Sequence, residues 1–95
     1  MAYKAFDLTG KVALVTGGNR GIGLGMARAM AEAGANIAIW GTNEARNAEA
    51  AAALSAETGV KTQAWQVNVA DEAGVEAAFN ETVDAFGRVD SVFAN

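Results

Sequence analysis

The chain of 95 residues contains no cysteine, no histidine and no proline. Without cysteine it has no disulfide framework, no thiolate metal site and no cysteine nucleophile. Without histidine it lacks the usual general base and the commonest metal ligand. Glycine, present 11 times, is left as the main residue that interrupts helices and strands.

Basic residues and long apolar runs are also scarce. Seven lysines and arginines stand against eleven aspartates and glutamates, for a net charge of −4, which makes nucleic acid and anionic lipid poor partners. No apolar run approaches the roughly 20 residues of a membrane helix, and residues 1–10 contain no apolar signal segment. The hydrophobic content of 52% suits one small folded domain. We expect a reduced, cytoplasmic setting.

Short apolar runs alternate with stretches of helical periodicity. The predicted strands cover residues 11–16, 36–40, 62–69 and 91–93, and the predicted helices cover residues 21–33, 43–57 and 71–86. Strands that alternate with helices of this length predict an α/β fold with a parallel sheet and right-handed crossovers. The side chains expected to face the core are Ile22, Met26, Ala29, Met30, Ala33, Trp40, Trp65, Val75, Ala78, Phe79, Thr82, Val83 and Phe86.

A glycine-rich turn, Thr16-Gly17-Gly18-Asn19-Arg20-Gly21-Ile22-Gly23, joins the first predicted strand to the first predicted helix. Gly17 permits a tight turn, Gly21 lets the backbone approach a pyrophosphate, and Gly23 lets the helix pack close to the sheet. A helix N-terminus offers unpaired N–H groups and partial positive charge to phosphate. The motif in this context predicts a phosphate-bearing ligand, and a purely structural turn is the alternative.

This motif, together with an asparagine after the third strand and another after the fourth, resembles the N-terminal part of short-chain dehydrogenases/reductases. The resemblance begins at Leu8 and extends in particular to 3-oxoacyl-[acyl-carrier-protein] reductases and to sugar and alcohol dehydrogenases. It implies the N-terminal half of a Rossmann-type doubly wound sheet, with strand order 3-2-1-4 and the third helix on the opposite face. Ala94 replaces an asparagine common in the family.

The resemblance also implies an activity and a set of cofactor-binding residues. The family transfers hydride between a nicotinamide cofactor and a carbonyl or alcohol. The implied cofactor-binding residues are Gly17, Gly18, Asn19, Arg20, Gly21, Ile22, Gly23, Thr42, Asn43, Asn68, Val69 and Asn95. Trp40 either packs in the core or borders the adenine.

The end of the second strand distinguishes NADP from NAD. An acidic residue there would accept hydrogen bonds from the ribose 2′-OH and repel a 2′-phosphate. This chain has Gly41, followed by Thr42 and Asn43, and Arg20 in the turn can pair with a phosphate. The pattern favours NADP(H) and leaves NAD(H) open, because Glu44 would weaken the argument if the second strand ran further.

No catalytic residue and no metal site is predicted. The family's Tyr, Lys and Ser lie beyond this segment, and Tyr3 with the adjacent Lys4 does not match its Tyr-x-x-x-Lys. We therefore expect residues 1–95 to be the NAD(P)-binding segment of a longer enzyme, cut after the fourth strand. A free-standing nucleotide-binding module is the alternative. The substrate stays open, and the expected protein partner is a second copy of the chain or a complementing C-terminal fragment.

Overall fold

The computed structural model describes residues 7–19 and 21–94. Within them strands and helices alternate over these ranges: β1 Val12–Thr16, α1 Gly21–Glu32, β2 Asn36–Gly41, α2 Glu44–Thr58, β3 Thr62–Gln66, α3 Glu72–Phe86 and β4 Ser91–Ala94. All strand pairings are parallel and the order across the sheet is β3-β2-β1-β4. The predicted α/β fold, Rossmann-type half-sheet and strand order are confirmed.

The ends of the second and third helices follow from capping chemistry. Asn43 and Asp71 precede α2 and α3, and their side chains accept hydrogen bonds from the backbone N–H groups three residues later. Gly59 and Gly87 end the same helices in the left-handed conformation, with φ of 77° and 81°. In the described part of the chain, no helix is long and apolar enough to cross a membrane.

The third strand is shorter than the sequence predicts. The apolar alternation continues to Val69, but β3 ends at Gln66. This strand pairs only with β2, and Gly41 opposite Gln66 is the last residue of β2 in that register. Val67 adds one more backbone bond to Gly41, at 3.0 Å, and the chain then leaves the sheet.

Helices cover both faces of the sheet. Alternate residues of β1 and β2, such as Val15 and Ile39, pack with α1 and α2 into one core cluster. The intervening residues, such as Leu14 and Trp40, face α3 in a second cluster. Thus α3 lies on the face opposite the first two helices, as predicted. The order reverses beside β1, and in open α/β sheets ligands bind at that point, beyond the carboxyl ends of the strands.

Three of the side chains predicted to face the core, Ile22, Ala29 and Phe79, are exposed instead. Ile22 is 76% exposed and Phe79 is 40% exposed. The buried residues of α1 are Gly23, Ala27 and Ala31, so the buried face of this helix is offset from the predicted stripe. These residues are small and let the helix pack close to the sheet, whereas hydrophobic periodicity favours the larger Ile22.

The predicted stripe of α3 is largely correct, since this helix packs on the sheet cluster through Val75, Ala78 and Phe86. The prediction that Trp40 and Trp65 are core residues holds fully for Trp40, at 4% exposure, and Trp65 is half-buried.

Candidate nucleotide-binding site

A cavity of about 520 Å³ opens at the carboxyl ends of β1, β2 and β3. Its volume falls within the ~300–1,000 Å³ of pockets that hold small molecules and cofactors. Three stretches of backbone form its walls: the glycine turn, the end of β2 with the start of α2, and the loop after β3. Its lining residues are Thr16, Gly17, Asn19, Gly21, Ile22, Trp40, Gly41, Thr42, Asn43, Arg46, Val67, Asn68 and Val69.

Two glycines shape the turn by adopting the left-handed conformation. Gly17 has φ of 67° and Gly21 has φ of 60°, values that residues with a Cβ adopt only at a cost. The Gly17 N–H donates to the Trp40 carbonyl at 2.7 Å, which fixes the turn against β2. A Cβ on Gly21 would meet no atom within 4 Å, so the backbone at the start of α1 is open to the cavity.

The wall formed by β2 and α2 carries a cation and no acid. Gly41, Thr42, Asn43 and Arg46 line the cavity, whereas Glu44 is not among the lining residues. The Asn43 side chain accepts from the Arg46 backbone N–H at 2.9 Å, which places Arg46 in the first turn of α2. Among the described lining residues Arg46 is the only charged one, so the cavity favours an anionic ligand.

The loop after β3 forms the third wall. The Asn68 side chain accepts from the Ala70 backbone N–H at 3.0 Å, and the Asn68 carbonyl accepts from Asp71 N–H at 2.9 Å. These local bonds hold the turn that leads to the cap of α3. Val69 beside it is 66% exposed, which leaves an apolar surface at the cavity rim that suits the flat face of an aromatic base.

The structure brings most of the sequence-predicted site residues to this cavity. Gly18 and Gly23 are buried and are not among its lining residues; a Cβ on Gly18 would lie 3.2 Å from Val15, which indicates a packing role. Arg20 and Asn95 lie outside the described residues, as do Tyr3 and Lys4. The predicted residues that do line the cavity are Gly17, Asn19, Gly21, Ile22, Thr42, Asn43, Asn68 and Val69.

Sequence reasoning missed three lining residues, which are Thr16, Arg46 and Val67. Thr16 and Val67 belong to the strand ends, where the register alone decides which residue reaches the edge. Arg46 had a usable signal: it lies three positions after the capping Asn43, and that spacing places it in the first helical turn.

The groups with shifted pKa lie away from the cavity. The hydrogen-bonded Arg88 guanidinium and the Val12 backbone N–H lower the pKa of the Asp90 carboxyl, and the Asp90 carboxylate in turn raises the pKa of Arg88. Asp90 accepts from the Val12 N–H at 2.8 Å. This pair therefore serves the amino end of β1, opposite the edge that carries the glycine turn.

The family model described as short chain dehydrogenase matches residues 11–95. The chain belongs to this family. Its oxidoreductase relatives include the 3-oxoacyl-[acyl-carrier-protein] reductase of Chlamydia muridarum, which is 43% identical over 88 residues, 93% of this chain and 36% of the relative. The expectation from the glycine motif is thereby confirmed at the level of the family.

Solved structures of the same family share the fold. The L-sorbose reductase of Gluconobacter frateurii, solved with NADPH and L-sorbose, superposes with a TM-score of 0.87 at 36% identity, over 92% of this chain and 33% of the reductase. An NAD⁺-bound xylitol dehydrogenase gives a TM-score of 0.86 at 34% identity, over 90% and 32%. The chain thus spans about a third of the length of these relatives.

Proposed function

We propose that this chain is the cofactor-binding part of an NADP(H)-dependent oxidoreductase, one that transfers hydride between nicotinamide and a carbonyl or alcohol. A 3-oxoacyl thioester is the substrate class we favour, with a sugar or simple alcohol as the alternative. The single observation that carries the proposal is the cavity where the glycine turn meets the ends of β2 and β3. Dinucleotides bind at this place in doubly wound sheets.

The pyrophosphate is assigned to the turn and to the N-terminus of α1. The backbone at Gly21 is open to the cavity, with no Cβ in the way. The turn at Gly17, held to β2 by its N–H bond to the Trp40 carbonyl, fixes the position of that backbone. The helix N-terminus adds partial positive charge. Asn68 and Val69 are assigned to the adenine, with Val69 as the apolar surface. Arg20 and Asn95 keep their roles as proposals from the family resemblance.

The preference for NADP(H) rests on the wall formed by β2 and α2. Gly41 supplies no carboxylate to accept from a ribose 2′-OH, and Glu44 is absent from the lining. Arg46 borders the same region, and within the described residues its guanidinium has no ion-pair partner. A guanidinium matches the geometry of a phosphate. We therefore assign Arg46 to the 2′-phosphate, together with Arg20.

The residues of this chain bind and orient the cofactor, which supplies the hydride when bound. We assign no proton transfer to them. The substrate classes of the relatives differ, from a carrier-linked oxoacyl group to a sugar. The expected partner, a second copy of the chain or a complementing C-terminal fragment, also stays a proposal.

The role of Arg46 is tested by an Arg46→Ala variant, with Arg88→Ala as the matched control. Arg88 is an exposed arginine held by Asp90, away from the cavity. We expect Arg46→Ala to weaken NADPH binding by about 1–2 kcal/mol, roughly 5–30-fold, and to leave NADH binding unchanged. The affinities are measured by titration of tryptophan fluorescence. Equal losses for both cofactors, or a comparable loss in Arg88→Ala, would show that Arg46 does not contact the 2′-phosphate.

A further inference from the structure

Asn47 is a polar residue buried in the first half of α2, at 2% exposure. Its amide nitrogen donates to the carbonyls of Gly41 at 2.9 Å and Trp65 at 3.0 Å. Its amide oxygen accepts from the Asn19 side chain at 2.8 Å. One side chain therefore joins the ends of β2 and β3 to the glycine turn.

The two backbone carbonyls fix the orientation of both amides. A carbonyl can only accept, so Asn47 must turn its NH₂ group toward Gly41 and Trp65, and only its oxygen faces the turn. Asn19 must then present its own NH₂ group to that oxygen. A residue 28 positions further along the chain thus holds a lining residue of the cavity in one orientation.

The same pair of amides fills the space above Gly41. A Cβ on Gly41 would lie 2.6 Å from Asn19 Nδ2 and closer still to Asn47 Oδ1. The backbone is not the obstacle, because Gly41 is not among the residues with positive φ. Asn47 cannot swing aside without leaving two backbone carbonyls, so a side chain at position 41 must displace the amide pair.

Position 41 is where an acidic side chain would select the unphosphorylated ribose. We propose that Asn47 is a specificity-determining residue for the cofactor: with Asn19 it closes the space above Gly41, so that cofactor selectivity depends on positions 41 and 47 together. This inference rests on the proposed function. It implies that Gly41→Asp alone does not convert the protein to NAD(H), since the new carboxylate would displace Asn19 from its place in the turn.

The first test compares Gly41→Asp, Asn47→Ala and the double variant in NADPH and NADH titrations. Gly41→Asp alone should lose affinity for both cofactors, by about tenfold or more. The double variant should regain NADH binding relative to Gly41→Asp and should prefer NADH to NADPH. The inference is overturned if Gly41→Asp alone already prefers NADH and binds it as tightly as the double variant does.

The second test needs no cofactor, so it separates this inference from the proposed function. The midpoint of thermal unfolding is measured for Gly41→Ala in the unsubstituted protein and in the Asn47→Ala background. Gly41→Ala should lower the midpoint in the unsubstituted protein. In the Asn47→Ala background it should lower the midpoint less, or not at all. Gly25→Ala in α1 is the control, because a Cβ there meets nothing within 4 Å and the change favours a helix.

The thermal unfolding midpoints decide whether positions 41 and 47 are sterically coupled. An equal effect of Gly41→Ala in both backgrounds overturns the steric coupling between positions 41 and 47. A smaller effect in the Asn47→Ala background supports it. If the coupling between positions 41 and 47 were observed but the unsubstituted protein bound neither NADPH nor NADH, the proposed function would be wrong. The assignment of Asn47 to cofactor selectivity would then be wrong as well.

Discussion

The Thr82 hydroxyl is expected to hold Trp40, a lining residue of the cavity, in place. Trp40 Nε1 donates to Thr82 Oγ1 at 3.2 Å, and that hydroxyl donates to the Ala78 carbonyl at 2.7 Å. Thr82 is fully buried and Trp40 is 4% exposed, so water does not replace either partner. A residue of α3 on one face of the sheet therefore anchors a side chain at the end of β2.

Thr82→Val keeps the shape of the side chain and removes the acceptor. The buried indole N–H would then lack a partner, which costs about 1–3 kcal/mol of the free energy of unfolding. The Ala78 carbonyl loses only the hydrogen bond that the Thr82 hydroxyl donates to it. The free energy is measured by urea unfolding followed by tryptophan fluorescence. Thr82→Ser, which keeps the hydroxyl and loses one methyl group, controls for lost packing at about 0.8 kcal/mol.

A double-mutant cycle with Trp40→Phe isolates the hydrogen bond. Phenylalanine retains an aromatic ring and has no N–H to leave unpaired, so Thr82→Val should cost less in that background, by roughly 0.5–3 kcal/mol. Trp65 remains as the fluorescent reporter in both backgrounds. Additive effects, within about 0.3–0.5 kcal/mol, would refute the claim that Thr82 holds the Trp40 ring through this bond.

Two further predictions concern the turn and the amino end of β1. Gly21→Val places a branched side chain in the open space of the cavity at a φ of 60°, so NADPH binding should be lost. The control Gly59→Val is strained similarly, at a φ of 77°, but lies away from the cavity. It should destabilise the fold and leave the NADPH affinity intact. Equal NADPH affinities for the two variants would contradict this prediction. Arg88 and Val12 lower the pKa of Asp90 in the folded protein. The stabilising effect of the Asp90 carboxylate is therefore present above its ordinary pKa of 3.8, and it is lost as the pH falls through the lower pKa of the folded protein. The difference in thermal midpoint between the unsubstituted protein and Asp90→Asn should therefore shrink below about pH 4, and a difference that stays constant down to pH 2 would contradict it.

Much of the fold follows from short-range signals in the sequence. The apolar runs of β1 and β2 are local features, and the structure agrees with both. Asn43 and Asp71, which cap α2 and α3, and the glycines that end these helices also act through contacts within a few residues. The motif Gly17 to Gly23 also predicted the position of the cavity, since a strand–turn–helix unit of a doubly wound sheet binds ligands at one edge.

The remainder depends on contacts between distant residues. The end of β3 is set by the length of its partner β2, which the sequence around Val69 does not encode. The buried face of α1 consists of Gly23, Ala27 and Ala31, small residues that hydrophobic periodicity does not favour over Ile22. The amide network of Asn47 and Asn19 joins residues 28 positions apart, and a buried asparagine in an alanine-rich helix gives no sign of its partners. Burial of such an amide requires that it be hydrogen-bonded, but spacing alone does not identify the acceptors.

The central claim is that the cavity binds a nicotinamide dinucleotide and distinguishes it by the 2′-phosphate. The most direct measurement is the dissociation constant of NADPH and of NADH for the unsubstituted protein, determined side by side from the quenching of tryptophan fluorescence. We expect NADPH to bind at least about tenfold more tightly, because the wall formed by Gly41 and Arg46 offers a cation and no acid to the ribose. Tighter binding of NADH, or no binding of either nucleotide, would contradict the account.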